Sequence, residues 1–81
     1  MRLENLRDLK RGCAGKVAQI DGGHGMVDRL ASLGIRPGQR IRKLSTSFMR
    51  GPVTVEVNRT RVAVGFGIAA RIIVEVEDNT R

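Results

Sequence analysis

Aromatic residues and cysteine are scarce in this chain of 81 residues, which has no tryptophan, no tyrosine, two phenylalanines and one cysteine. Because Cys13 is alone, it cannot form a disulfide within the chain, and nothing points to an oxidising compartment. The paired cysteine and histidine ligands of a structural zinc site are missing too, since His24 is the only histidine. Cys13 and His24 are metal-ligand candidates only if two copies of the chain share one site. The sequence therefore predicts no metal site within one chain and no cofactor.

Long apolar segments are lacking as well. No run approaches the ~18 apolar residues that a transmembrane helix needs. Residues 1–12 interleave charged and apolar side chains, without the apolar centre of a signal peptide. The scattered acids, with one histidine and one cysteine, do not supply the nucleophile, base and orienting group of an enzyme active site. We therefore expect a cytoplasmic protein that is not an enzyme and does not insert into a membrane.

Positive charge is abundant and unevenly distributed. The net charge is +7, and residues 29–61 contain eight lysines and arginines against one acid, Glu56. Such a segment favours an anionic partner, which includes nucleic acid, an anionic surface or an acidic protein face. Single-stranded nucleic acid is usually held by stacking on exposed aromatic residues, and this chain has only two phenylalanines. Nucleic-acid or anionic-surface binding is therefore the alternative to a protein-interaction role, and nucleic acid is the less favoured partner.

Ten glycines separate short runs of valine and isoleucine, a pattern typical of a β-rich domain. A helix is predicted over residues 26–33, where Met26, Val27, Leu30 and Leu33 form one apolar stripe that is expected to pack in the core. A single helical turn is predicted over residues 65–71. Five short antiparallel strands in so small a domain predict a barrel, with the helix between strands 1 and 2 and the helical turn before strand 5. The predicted strands are residues 15–20, 39–47, 53–57, 60–64 and 72–77.

Three local patterns refine these strands. Val17 and Ile20 do not alternate cleanly, which predicts a bulge or a bend in the first strand. The valines of residues 53–57 alternate with polar residues, which predicts a half-buried strand. Asn58 and Arg59 predict a two-residue hairpin turn, because asparagine tolerates a positive φ.

The ends of the single predicted domain, residues 1–81, have simpler patterns. Leu3, Leu6 and Leu9 recur at every third position, which predicts a leucine-containing turn over residues 1–12 that packs on the barrel. Residues 77–81 are polar and are predicted to form a frayed tail.

A structural corner is predicted where the helix meets the second strand. Gly34 stands where a helix C-terminus needs a left-handed residue, and Ile35 is placed to pack back on Leu30. Pro37 prevents the helix from resuming, and Gly38 completes a turn. The predicted corner consists of Leu30, Leu33, Gly34, Ile35, Pro37 and Gly38.

Two glycine-rich segments have partial nucleotide-binding patterns. Gly65, Gly67 and Ala70 have the spacing of a dinucleotide fingerprint, but too few residues follow for the helix, parallel strand and acidic residue that it requires. Residues 22–28 follow a strand and open a helix, yet lack the lysine and hydroxyl pair of a P-loop. The glycines of both segments are interpreted as turn residues.

Three segments together resemble the ferrous iron transport protein A (FeoA) family across residues 3–76. These segments are LENLRDLKRGCAGKVAQIDGG, RLASLGIRPGQRIRKL and GPVTVEVNRTRVAVGFGIAARIIVEV. The most specific part is Arg29-Leu30 with Leu33-Gly34-Ile35-x-Pro37-Gly38, followed by Gly51-Pro52 and by Ala69-x-x-Ile72. The resemblance implies an SH3-like barrel and a small cytoplasmic accessory protein of ferrous iron uptake. It also implies that the partner is FeoB, a membrane transporter with a cytoplasmic G-protein domain.

An adaptor of this kind would bind FeoB through exposed residues near the corner and the 48–52 loop. Phe48 and Met49 would supply apolar contact, and arginines would steer the domain toward an acidic face. Self-association of the chain is left open. The predicted partner-binding residues are Arg29, Arg36, Arg40, Phe48, Met49 and Arg50.

Overall fold

Six strands and two helices follow one another along residues 2–45 and 50–77, the part of the chain that the computed structural model describes. In chain order they are β1 (Arg2–Asn5), β2 (Ala14–Ile20), α1 (His24–Ser32), β3 (Arg40–Ser45), β4 (Val53–Val57), β5 (Thr60–Val64), α2 (Phe66–Ala69) and β6 (Ile72–Val76). The five predicted strands, the predicted helix and the predicted helical turn are confirmed within the described residues. Residues 46 and 47 of the predicted strand 39–47, and residues 78–81 of the predicted tail, lie outside the described residues.

The strands form a single antiparallel sheet in the order β1-β6-β2-β3-β4-β5. Strand β1 was not predicted, because the three-residue leucine spacing indicated a turn at residues 1–12 instead. Residues 2–5 are extended because they pair in register with Val76–Ile73 of β6. Leu3 is 54% exposed as a result, whereas Leu6 and Leu9 are buried in the turn that follows β1.

The sheet curls but does not close into a complete barrel. Within residues 2–45 and 50–77 no ladder joins β5 to β1, so these two strands are the edges of the sheet. The C-terminal end of α1 lies beside β5, where a closing strand would have to pair. The predicted closed barrel is therefore open at the seam between β5 and β1.

The buried apolar side chains form one continuous cluster. Strand β4 follows the predicted alternation, since Val53, Val55 and Val57 are each at most 1% exposed. Leu6, Ile35, Ile41, Ile72 and Val74 come from other elements and are buried to the same degree. Burial of a valine or leucine side chain stabilises a fold by about 1.5–3 kcal/mol, so these shared contacts hold the elements together.

A bulge bends β2 where its apolar residues stop alternating. The pairing of β2 with β6 shifts register between Val17 and Gln19. Val17 remains in the core, and its N–H donates to the Gln39 carbonyl at 2.9 Å. The predicted irregularity in this strand is therefore confirmed, and it ties β2 to the turn that precedes β3.

The corner after α1 has the hydrogen bonds of a Schellman motif. Gly34 has a φ of 91° and donates its N–H to the Ala31 carbonyl at 2.9 Å. The Ile35 N–H reaches back to the Leu30 carbonyl, also at 2.9 Å. Leu30 and Ile35 are both buried in the core, as the motif requires of its hydrophobic pair. The predicted helix end is confirmed.

Two tight turns lie next to the corner. Residues 36–39 form a turn in which the Gln39 N–H donates to the Arg36 carbonyl at 3.0 Å, with Gly38 at a φ of 93°. Asn58 and Arg59, at φ values of 51° and 64°, form the two-residue connection between β4 and β5. Positive φ at both positions is the requirement of a type I′ hairpin turn, so the predicted hairpin is confirmed.

Lys43 is an unexpected member of the interior, with a side chain that is 1% exposed. Its Nζ donates to the Arg7 carbonyl at 2.8 Å, in the turn after β1. Burial lowers the pKa of the Lys43 amine, and the nearby Asp8 carboxylate partly opposes that effect. Lys43 therefore fastens the N-terminal turn to β3 instead of contributing to the basic surface.

Replacing Gly34 with alanine should lower the free energy of unfolding by about 1–2 kcal/mol, because a side chain at this φ is strained. A Cβ at this position would also lie 3.1 Å from Asn58 Nδ2 and Val57 Cγ1. Gly25→Ala is the matched control. Gly25 lies inside α1 without a positive φ, and a Cβ there meets nothing within 4 Å. The Gly25→Ala substitution should raise the free energy of unfolding by up to about 1 kcal/mol. Urea unfolding of the two variants checks both expectations. Equal unfolding midpoints for the two variants would contradict the left-handed conformation assigned to Gly34.

Lys43→Met should change how stability depends on pH. Between the lowered pKa and the ordinary value of 10.5, the unfolded parent chain binds more protons than the folded one. The free energy of unfolding of the parent should therefore rise with pH in this range, by at most about 1.4 kcal/mol per pH unit. The variant lacks this contribution, so the parent should gain stability relative to it. Parallel pH profiles in urea unfolding would contradict this account.

Candidate interaction surface

An open groove of about 690 Å³ lies between the C-terminal end of α1 and strand β5. Its volume is in the range of ligand-binding clefts, which is about 300–1,000 Å³. The groove is lined by Ala31, Ser32, Leu33, Gly34, Arg36, Val57, Asn58, Thr60, Arg61, Val62 and Ala63. The corner thus forms one wall of the groove, and the hairpin of β4 and β5 forms the other.

Leu33 is the large exposed apolar residue among the described residues that line this groove. The helical stripe predicted it to be in the core beside Leu30, yet it is 44% exposed while Leu30 is 4% exposed. Leu33 is the C-cap of α1, where the chain turns into the left-handed Gly34. This turn directs Ile35 into the core and leaves Leu33 at the groove. Leu33 is therefore a structural corner residue that also offers an apolar contact.

Arg36 and Arg61 are the charged residues that line the groove, and both are exposed. Neither forms an ion pair with any acid in residues 2–45 and 50–77. The groove therefore combines an apolar side chain with two arginines whose charge is not balanced by an ion pair to any described residue.

A smaller depression of about 240 Å³ lies on the other side of Asn58. It is lined by Gln39, Arg40, Ile41, Arg42, Glu56, Asn58 and Arg59. The two depressions share Asn58, whose side-chain oxygen accepts a hydrogen bond from Gln39 Nε2 at 3.1 Å. This hydrogen bond fixes the hairpin turn between the groove and the depression.

Arg40 forms a bidentate ion pair with Glu77. Its Nε and Nη2 donate to the two carboxylate oxygens at 2.7 and 3.0 Å. The hydrogen bonds from Arg40 lower the pKa of the Glu77 carboxyl, and the same pair raises the pKa of the Arg40 guanidinium. Because Glu77 compensates its charge, Arg40 attracts an acidic partner less strongly than Arg36 does.

The predicted partner-binding residues are brought together only in part. Arg36 lines the groove, and Arg40 lines the neighbouring depression. Arg29 is exposed on α1 and Arg50 is exposed before β4, but neither lines either concavity. Phe48 and Met49 lie outside the described residues. The partner-binding set therefore stays a prediction, with Arg36 as its best-placed member.

The basic segment offers fewer unengaged charges than its composition suggests. Lys43 is buried, and Arg40 is paired with Glu77. Arg42 donates from Nη1 to the Gly12 carbonyl at 2.6 Å. These three cations stabilise the domain itself, so the surface available for phosphate contacts is smaller than the net charge of +7 implies.

The two weak metal-ligand candidates lie in different settings. Cys13 is half-buried and packs against the core cluster, whereas His24 is exposed at the first residue of α1. Within the described ranges, no group of three or more histidine, cysteine, aspartate and glutamate side chains is arranged to hold a metal ion.

Sequence reasoning missed Arg61, Asn58 and the exposure of Leu33 as parts of the groove. The sequence marks Arg61 only as a member of the basic segment, residues 29–61. The sequence marks Asn58 only as a turn residue, and the turn is what brings it beside Gly34. No local signal could have identified the groove, because α1 and β5 are separated in the chain and meet only through the fold.

Glu77→Gln should destabilise the protein near neutral pH, because it removes the ionised partner of Arg40. The pKa of Glu77 is below the ordinary value of 4.5, so its contribution is present above that value and is lost as the pH falls through the lowered pKa. Parent and variant should therefore converge at low pH in thermal melts. Glu75→Gln is the control, because Glu75 is exposed on β6 and forms none of the described ion pairs. An identical loss of thermal stability in Glu77→Gln and Glu75→Gln would contradict the stabilising role of the ion pair between Arg40 and Glu77.

Comparison with known proteins identifies the family. The family model described as the FeoA domain matches residues 4–76. A Methanocaldococcus jannaschii protein provisionally named Fe(2+) transport protein A is 36% identical over 59 residues, which are 73% of this chain and 70% of that protein.

Solved structures agree on the fold. The crystal structure of an iron uptake regulatory protein, FeoA, has a TM-score of 0.84 and 32% identity, covering 95% of this chain and 100% of that one. FeoA of Stenotrophomonas maltophilia, an SH3 domain protein solved with zinc, has a TM-score of 0.75 and 25% identity and covers 88% of each chain. The expected SH3-like fold is thereby confirmed, with its seam open. This chain belongs to the FeoA family.

Proposed function

We propose that this protein is a cytoplasmic accessory protein of ferrous iron uptake that binds the cytoplasmic part of a FeoB-type membrane transporter and modulates it. The observation that carries the proposal is the family match over residues 4–76, because the FeoA family is implicated in ferrous iron transport. The transporter as partner follows from the resemblance of the sequence to that family.

The surface of the domain supports binding as its mode of action. The groove presents an exposed Leu33 between Arg36 and Arg61, a combination suited to a protein partner with an apolar contact and acidic residues. Arginine is enriched among the few interface residues that contribute most of the binding energy in protein complexes. The domain therefore modulates the transporter through contact and contributes no chemical step of its own.

The cytoplasmic assignment belongs to the same proposal. No helix within residues 2–45 and 50–77 has the length and apolar character to cross a membrane. Under this proposal, the domain reaches the transporter from the cytoplasmic side of the membrane, where nucleotide is available.

The proposal is tested by measuring binding of the full chain to the FeoB-type transporter in lipid nanodiscs, with and without GTP. The parent should bind saturably, and the double variant Arg36→Glu, Arg61→Glu should bind at least about tenfold more weakly, because like charges would then face an acidic surface. Arg11→Glu is the matched control, since Arg11 is exposed and lines neither concavity. It should bind as the parent does.

Uptake of ferrous iron by cells that lack the accessory protein is the second readout. The parent and Arg11→Glu should restore uptake equally, and the double variant should restore less. Absence of binding to the transporter in any nucleotide state, with all three proteins folded, would overturn the proposed function.

A further inference from the structure

Strand β5 is an edge of the sheet with backbone groups that face away from β4. The two-residue turn places Val57 opposite Thr60, the pair that closes the hairpin by hydrogen bonds. Hydrogen-bonded and non-hydrogen-bonded pairs alternate along an antiparallel ladder, so Val62 and Val64 also bond to β4.

Arg61 and Ala63 occupy the non-hydrogen-bonded positions of this ladder, opposite Glu56 and Thr54. Their N–H and C=O groups therefore point away from β4, toward the outer side of β5. Across the described residues, no other strand pairs with that side, and these groups take part in no other backbone hydrogen bond. Two donors and two acceptors are thus available in a row.

The open groove runs along this edge. Thr60, Arg61, Val62 and Ala63 all line it, although successive residues of a strand point to opposite faces. A groove bordered by both faces of a strand lies at the edge and not over one face. The opposite wall is the end of α1, so a segment in the groove would have β5 on one side and Leu33 on the other.

Charge identifies the kind of segment that fits. Arg36 and Arg61 line the groove and form no ion pair among the described residues, and no acid among those residues is part of the lining. An extended segment displays its side chains alternately on two sides, so acidic and apolar residues in alternation would meet the arginines and Leu33 at once.

We propose that the groove binds an extended, acidic peptide segment of a partner protein, which pairs with Arg61 and Ala63 as an additional strand of the sheet. Backbone hydrogen bonds to the edge supply affinity, and Arg36, Arg61 and Leu33 select acidic residues alternating with apolar ones. This inference goes beyond the proposed function, because it holds for any partner that presents such a segment.

The experiment uses the ¹⁵N-labelled full chain and a terminally blocked peptide of alternating glutamate and valine. Addition of the peptide should move the amide resonances of Arg61 and Ala63 the most and should slow their exchange with solvent. A blocked peptide of alternating lysine and valine should cause no such change, because both groove arginines would repel it.

Two changes should remove the backbone pairing between the peptide and β5 without altering the charge of either molecule. Ala63→Pro deletes an edge N–H that does not bond to β4, a substitution that edge strands tolerate, and should weaken binding at least tenfold. N-methylation of the backbone of the glutamate–valine peptide should weaken binding equally, and it leaves the protein unchanged in case the proline variant does not fold. Arg61→Glu should also weaken binding, whereas Arg11→Glu should not.

Several results would overturn the inference. These are resonance changes centred on the β1 edge, equal affinity for the lysine peptide, or undiminished binding of the N-methylated peptide. Sedimentation that shows the chain pairing with itself through the β5 edge would assign the groove to a second copy instead. Failure to bind the transporter with normal peptide binding would overturn the proposed function and leave this inference standing.

Discussion

The hydrogen bond from the Ile35 N–H to the Leu30 carbonyl is the constraint on which the rest of the structure depends. It forms only because Gly34 adopts a φ of 91°, and it ends α1 while directing Ile35 into the core. The same turn brings Gly34 so close to the hairpin that a side chain there would contact Asn58. The end of α1 is thereby held beside β5, and the groove exists because of that placement.

The charges of the domain divide into those that stabilise the fold and those left for a partner. Lys43 binds the Arg7 carbonyl from inside the core, and Arg40 is paired with Glu77. The arginines of the groove, Arg36 and Arg61, have no such partner among the described residues. The net charge of a basic domain is therefore a poor guide to its binding surface, which is better judged from the cations that remain unpaired.

Local signals predicted most of the fold. A left-handed glycine after a helix, an asparagine in a two-residue turn and the alternation of β4 each have a short-range physical cause, so the helix end, the hairpin and the buried valines were predictable. Strand β1 was not, because residues 2–5 are extended only through pairing with distant β6. The burial of Lys43 likewise depends on an acceptor 36 positions away in the chain. Of the candidate site, Arg36 was predicted, while Arg61 joins it only after α1 meets β5.

Hydrogen–deuterium exchange of the full chain, alone and bound to the FeoB-type transporter, tests the central claim most directly. That claim is that the corner at Gly34 builds the surface that the partner contacts. If it is right, binding slows exchange in residues 31–36 and in β5 together, and leaves β1 and the bulged part of β2 unchanged. Slower exchange confined to the β1 edge, with residues 31–36 and β5 unaffected in the complex, would contradict it.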